Sequence, residues 1–281
     1  MTTAATPAAP RAATTTATTT TAGRLLALGR AESTLLLRNR TALFTAVALP
    51  LLLVGAVRGM LRQQAESTPG LDVDAAMVTG VTGIVLLFVV YYNLTSAYVA
   101  RRGELVLKRL RTGEARDLEI LAGTAVPSVL LALLQCAVLG VAGAVLLDLP
   151  APVNPLLMAA GLALAVALLT GLAALSSAFT RTVESAGITT LPLMLIAQFG
   201  SGLLIPLEVM PERVADLCRA LPTTPAFQLL RLGWFGGDGS RPATDFLGTW
   251  APAAPHLGLA VLWTAAAWWA TRRWFRWEPR R

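Results

Sequence analysis

Two groupings of residues in this chain are of types that do chemistry or make functional contacts. Ser201 stands between Gly200 and Gly202, and His256 is the single histidine. A hydroxyl with an imidazole as its base is the minimum for nucleophilic hydrolysis. The second grouping is the stretch RRGELVLKRLRTGEARDLE, residues 101 to 119, in which Leu105, Leu107 and Leu110 alternate with basic side chains. That pattern fits a short helix lying across a surface, and equally a solvated loop. Lys108 is the only lysine and has no glycine-rich loop before it. A Walker-type phosphate cradle is therefore absent from the sequence, and no catalytic or metal site is assigned.

The elements that must position these residues are apolar helices. Of 281 residues 55% are apolar and 14% charged, and the charges fall in clusters between long uncharged runs. Six runs, about 41–61, 76–99, 120–147, 154–180, 184–206 and 252–271, each hold roughly 20 or more residues, enough to cross a hydrocarbon core of about 30 Å. The expected fold is an all-α membrane protein with six transmembrane helices. Before them, residues 23–40 mix Leu with Arg and are expected to form an amphipathic helix in the interface, or else an extension of the first span. Residues 1–22 are Thr/Ala-rich and expected to be a disordered cytoplasmic tail, leaving 23–281 as one domain.

Seventeen of the 23 basic residues lie in the N-terminal part, the second and fourth connections and the C-terminus. The positive-inside rule then puts both termini in the cytoplasm of a multi-pass plasma-membrane protein. The net charge of +7 flanks apolar runs, which argues against nucleic-acid binding. Cys136 lies within an apolar run and Cys218 in a connection, so no disulfide framework is expected. No Asp, Glu, Lys or Arg lies in the interior of the six runs; Arg58 and Glu184 sit near ends. Ion-coupled transporters carry such groups at depth, so energy for transport is expected from a separate subunit.

The charged stretch resembles the permease subunits of type-2 ABC exporters, which include drug-resistance and polysaccharide-export permeases. The matching residues are Gly103-Glu104-Leu105 and Lys108-Arg109-Leu110-Arg111-Thr112, with Gly113 where proline is common. A second match is Ser201-Gly202, Pro206, Met210-Pro211 and Leu221-Pro222. The resemblance implies that Arg101, Arg102 and residues 103–112 form a coupling helix docking a cytoplasmic ABC ATPase subunit, which would hold the ATP and Mg²⁺. It implies too that the second segment makes re-entrant helices between spans five and six, closing the outer end of the path. Broken backbone at that depth is tolerable only where protein or a water-filled cavity satisfies it. Such permeases are similar to half-transporters, so a second permease copy, identical or not, is expected. The order of Ser201 and His256 is also reminiscent of rhomboid proteases, but their Gly-x-Ser-Gly motif fails at Phe199.

Tyr91, Tyr92, Asn93, Gln135 and Gln198 are polar or aromatic residues within the runs. They would line a path for a hydrophobic or amphiphilic cargo, or tie helices together by hydrogen bonds. Ala159, Ala163, Ala167 and Gly171 recur at four-residue spacing, a stripe suited to close helix contact.

Overall fold

The computed structural model describes residues 40–66, 72–111, 116–237 and 243–278. The tail at 1–22, the amphipathic segment up to residue 39 and Thr112 lie outside the described residues. Among the described residues the chain is helical and has no strand. Helix α1 is Arg40–Ala65. Helix α2 (Val73–Leu86), a π-helical turn (Leu87–Tyr92) and α3 (Asn93–Gly103) run on as one rod of 31 residues. There follow the short α4 (Val106–Arg111), then α5 (Asp117–Leu146), α6 (Pro155–Phe179) and α7 (Ala186–Gly200). After α7 come a 3-10 turn (Leu207–Val209), α8 (Glu212–Arg219), α9 (Thr224–Phe235) and α10 (Trp250–Trp274).

Each of the six expected runs carries a helix. Three of these, the Val73–Gly103 rod, α5 and α6, are long and apolar enough to cross a membrane by length and composition. Helix α7 is apolar but has 15 residues, and it stops at Gly200 where the sequence pattern ran to 206. The reason is Gly202, whose φ of +76° is a left-handed turn that only glycine adopts without strain.

Local chemistry sets the other ends. The Asp72 carboxylate accepts the Ala75 N–H at 2.9 Å, and Asp74 adds a negative charge to the first turn of α2. Asn154 caps α6 by accepting the Leu157 N–H at 3.1 Å, and Pro155 occupies the first helical position, where its missing N–H costs nothing. Gly236, at φ +74°, ends α9.

In lipid, helices gain little from apolar burial against one another, so close approach and hydrogen bonds hold them together. Helix α6 lies against α9 and α10. At Gly161 a Cβ would meet the Leu230 backbone N at 2.8 Å and the Ala226 carbonyl at 3.0 Å, and at Gly233 one would strike the Met158 backbone. Along the expected stripe, Ala159 and Ala163 are exposed, whereas Ala167 and Gly171 meet α10. There the Trp268 Nε1 donates to the Ala167 carbonyl at 3.0 Å and the Thr271 hydroxyl to that of Gly171 at 2.9 Å. The close approach of α6 to α9 is thus on another face, around Met158 and Gly161. The rod forms the centre of the core through Val81, Leu86, Leu87, Val90, Tyr91 and Leu94.

Candidate functional site

The charged stretch is built on the end of the rod. Arg101 is half-buried. Arg102 is only 1% exposed, and its guanidinium donates to the Ser177 carbonyl at 2.8 Å and the Thr180 carbonyl at 2.5 Å. Ser177 lies in the last turn of α6 and Thr180 caps it, its N–H donating to the Ser177 carbonyl at 3.2 Å, so Arg102 adds a second donor there and supplies one to the Thr180 carbonyl, at the negative end of the helix dipole. Arg102 is therefore withdrawn from the surface on which the sequence pattern placed it.

Past Gly103 the chain turns sharply. Glu104 donates its N–H to the Ala100 carbonyl at 3.0 Å, and Leu105 adopts a φ of +60°. A β-carbon in that conformation costs about 1–2 kcal/mol. The turn presents Gly103, Glu104 and Leu105 to the outside and starts α4 at Val106. Leu107 is fully buried and fastens α4 to the core. Lys108 and Leu110 lie within α4, and Arg109 and Arg111 are exposed. Arg111 pairs with Asp117 at 3.2 Å and has its guanidinium carbon 4.9 Å from the centre of the Trp277 ring. Trp277 stands edge-on to Phe275 at 5.0 Å, and Phe275 edge-on to Tyr98 at 6.1 Å. Chain beyond α10 thus returns under α4. Across the next connection, hydrogen bonds from the Glu184 backbone N–H and from Thr182 hold the Glu184 carboxyl below its ordinary range.

Residues 201–223, which hold the second family match, form a folded segment between α7 and α9. Ser201 is buried, with its Oγ 2.6 Å from the Thr223 Oγ1, so its hydroxyl bridges the two ends of the segment instead of standing open as a nucleophile. After Gly202, Leu203 is seated in a notch on α2: a Cβ at Gly80 would strike the Leu203 carbonyl, and one at Gly83 would meet its Cγ at 3.0 Å. Pro206 precedes the 3-10 turn and Pro211 precedes α8, each at a φ of −55° that its ring fixes. Met210, Leu221 and Pro222 are half-buried, Pro206 is buried and Pro211 exposed. On α8 the Asp216 carboxylate accepts from Arg219 at 2.5 Å. The Trp263 Nε1 of α10 donates to the Ala220 carbonyl at 3.1 Å.

The residues expected along a path are not gathered together. Tyr91 is buried, with its hydroxyl 2.9 Å from the Ser176 Oγ. Gln135 is 2% exposed on α5, and its Oε1 has no partner among the described residues. Tyr92 and Gln198 are half-buried and Asn93 is exposed; α7, which carries Gln198, touches both the π turn and α3. A separate apolar cavity of about 540 Å³ lies among α2, α5, α6 and α9, lined by Thr79, Thr82, Cys136, Met158, Leu230 and Trp234 among others.

Sequence patterns missed three contributors. Asn154 joins three elements: besides capping α6, its Nδ2 donates to the Thr249 hydroxyl at 2.9 Å, and its N–H donates to the Gly233 carbonyl at 2.7 Å. The Asn-Pro pair was a readable helix-start signal. The Gly80/Gly83 notch is visible only as two glycines on one side of a helix. The third is an ion pair between Glu208 in the 3-10 turn and Arg231 on α9, 23 positions apart and without any periodic relation.

No curated protein matches the chain in sequence comparison. A family model, described as ABC-2 type transporter, matches residues 23–235, from before α1 to the end of α9, and so takes in both the charged stretch and the 201–223 segment. The chain belongs to the ABC-2 type transporter family.

Proposed function

We propose that this chain is the membrane permease of an ABC exporter, forming the path for a hydrophobic or amphiphilic cargo such as a drug or natural product. A separate cytoplasmic ATPase subunit binds ATP and Mg²⁺ and docks on the exposed part of the 101–111 stretch: Gly103, Glu104, Leu105, Arg109 and Arg111. Six helices span the plasma membrane with both ends of the chain inside, α1, α7 and α10 joining the three more apolar ones. The 200–235 segment dips into the outer leaflet and closes the path. A second permease copy completes the transporter, and Tyr92, Asn93 and Gln198 face the cargo.

The observation that carries this reading is the family match over 23–235. The form of the inner stretch supports it. Leu107 and Arg111 hold α4 in place while Leu105 and Arg109 stay exposed, as a docking surface requires. ATPase closure would press on α4, move the rod through α3, and so reach Leu203 at the other end of the same rod.

The test is co-expression with the ATPase encoded nearest this chain, followed by co-purification. Parent chain should retain the ATPase, and Glu104→Ala with Arg109→Ala should retain it several-fold less. Full retention by a chain with residues 103–111 scrambled would remove the docking assignment. Cargo movement by this chain alone, against a gradient and without nucleotide, would sink the whole proposal.

A further inference from the structure

The outer segment is fastened in two different ways. At its base the fastenings are neutral: Ser201 to Thr223, Trp263 to the Ala220 carbonyl, and the Thr224 hydroxyl to the Cys218 carbonyl at 2.7 Å. Toward its tip, between the corners fixed by Pro206 and Pro211, the fastening is ionic. Glu208 meets Arg231, with side chains 18% and 6% exposed, and among the described residues no other ion pair joins this segment to a neighbouring helix.

This pair is incompletely compensated. The Arg231 Nε and the Gln228 Oε1 have no hydrogen-bond partner among the described residues, and neither does either Glu208 oxygen, Oε1 meeting Arg231 only as an ion pair. Gln228 and Arg231 are three positions apart on α9, hence neighbours on one face, and both are buried. Taking two charges out of water costs several kcal/mol each, and their attraction repays this only when the remaining lone pairs and protons are also satisfied. Here they are not. Attraction between the two charges is strong while the site is dry and falls steeply once water enters. Water entering would at the same time offer partners to these orphan atoms. Wetting therefore offsets part of the cost of parting the two charges, as a fastening that releases requires.

We infer that Glu208 and Arg231 form a releasable latch, which holds the 203–210 flap shut on α9 and lets go when the tip is wetted. The inference rests on the reading that this segment closes the outer end of the path.

The chain supplies its own reporter. Cys218 is half-buried on α8, with its Sγ 3.7 Å from where a Gly200 Cβ would be, so it becomes reactive when the segment lifts. With Cys136→Ser it is the sole thiol. The full chain in lipid nanodiscs is treated with a membrane-impermeant maleimide, and the labelling rate of Cys218 is measured. Glu208→Gln and Arg231→Met should each raise the rate at least about tenfold, because each leaves one buried charge unpaired. The charge swap Glu208→Arg with Arg231→Glu should return it to within about threefold of the parent. Parental rates in monodisperse single variants would overturn the latch. If the single variants do not fold, the swap decides alone: slow labelling supports the latch, and fast labelling in monodisperse protein overturns it. A separate cross-link pinning the flap to α9 tests the closure reading. If cargo export survives that cross-link while the labelling pattern holds, closure fails and the latch stands.

Discussion

The two ends of the molecule each bury an arginine, and they neutralise it by different means. At the end that the proposed orientation puts inside, Arg102 gives its guanidinium to two backbone carbonyls at the close of α6. Those carbonyls are fixed by the helix that carries them, so the contact cannot part without opening α6 or withdrawing the rod. At the end that the same proposal puts outside, Arg231 is matched by the carboxylate of Glu208, which belongs to a short turn between Pro206 and Pro211, beyond the left-handed Gly202. Dipolar carbonyls anchored in a helix give a permanent joint. A carboxylate on a hinged turn gives a separable one. Burial of charge alone therefore says little about rigidity; what carries the opposite charge decides it.

The largest expected effect is at the inner joint. Arg102→Ala should lower stability by on the order of 3 kcal/mol, because it takes the guanidinium from two buried carbonyls, of which only that of Ser177 keeps a backbone donor, and removes the packing of a long side chain. Arg102→Lys, which keeps the charge without the fork, should lose roughly half as much. Thermal unfolding followed by size-exclusion chromatography in detergent measures both, and an unchanged midpoint for Arg102→Ala would erase the contrast. Second comes the outer seat: Gly80→Ala drives a methyl into the Leu203 carbonyl and should cost about 1–3 kcal/mol, with faster Cys218 labelling. The same substitution at Gly55, where a Cβ meets nothing within 4 Å, is the control. Third, Leu105→Gly should be more stable than Leu105→Ala by about 1 kcal/mol, since only glycine is at ease at a φ of +60°. Smallest is the neutral replacement Glu208→Gln with Arg231→Met. It should stay within about 1 kcal/mol of the parent, since apolar or neutral substitutes for a buried ion pair are often harmless. A large loss there would make the outer joint as structural as the inner one.

The helices were legible because apolar runs of the right length have few other solutions, and the run expected at 76–99 lies wholly within the Val73–Gly103 rod. The broken pattern at Gly200, Gly202, Pro206 and Pro211 was also legible, and the breaks appear as a helix end, a left-handed turn and two helix starts. Burial of Arg102 was not. Charge rules treat every basic residue of an inner connection as solvent-facing, and nothing local marks the one whose neighbour across the fold is a helix end. Nor was the Glu208–Arg231 pair, because sequence periodicity carries no information on which residues of separate elements meet. Leu105 was readable as part of a motif, but its left-handed backbone was not, since a leucine carries no signal for a positive φ.

The π-helical turn at Leu87–Tyr92 links these two ends within a single span. Such a turn holds about one residue more than an α-helical turn, and one residue corresponds to roughly 100° of rotation. The half carrying Gly80 and the half carrying Arg102 are therefore phased independently, so that the notch can face the flap while the arginine faces the close of α6. Deleting one residue from that turn would rephase the span like a misaligned key, spoiling one fit or the other while leaving its length almost unchanged.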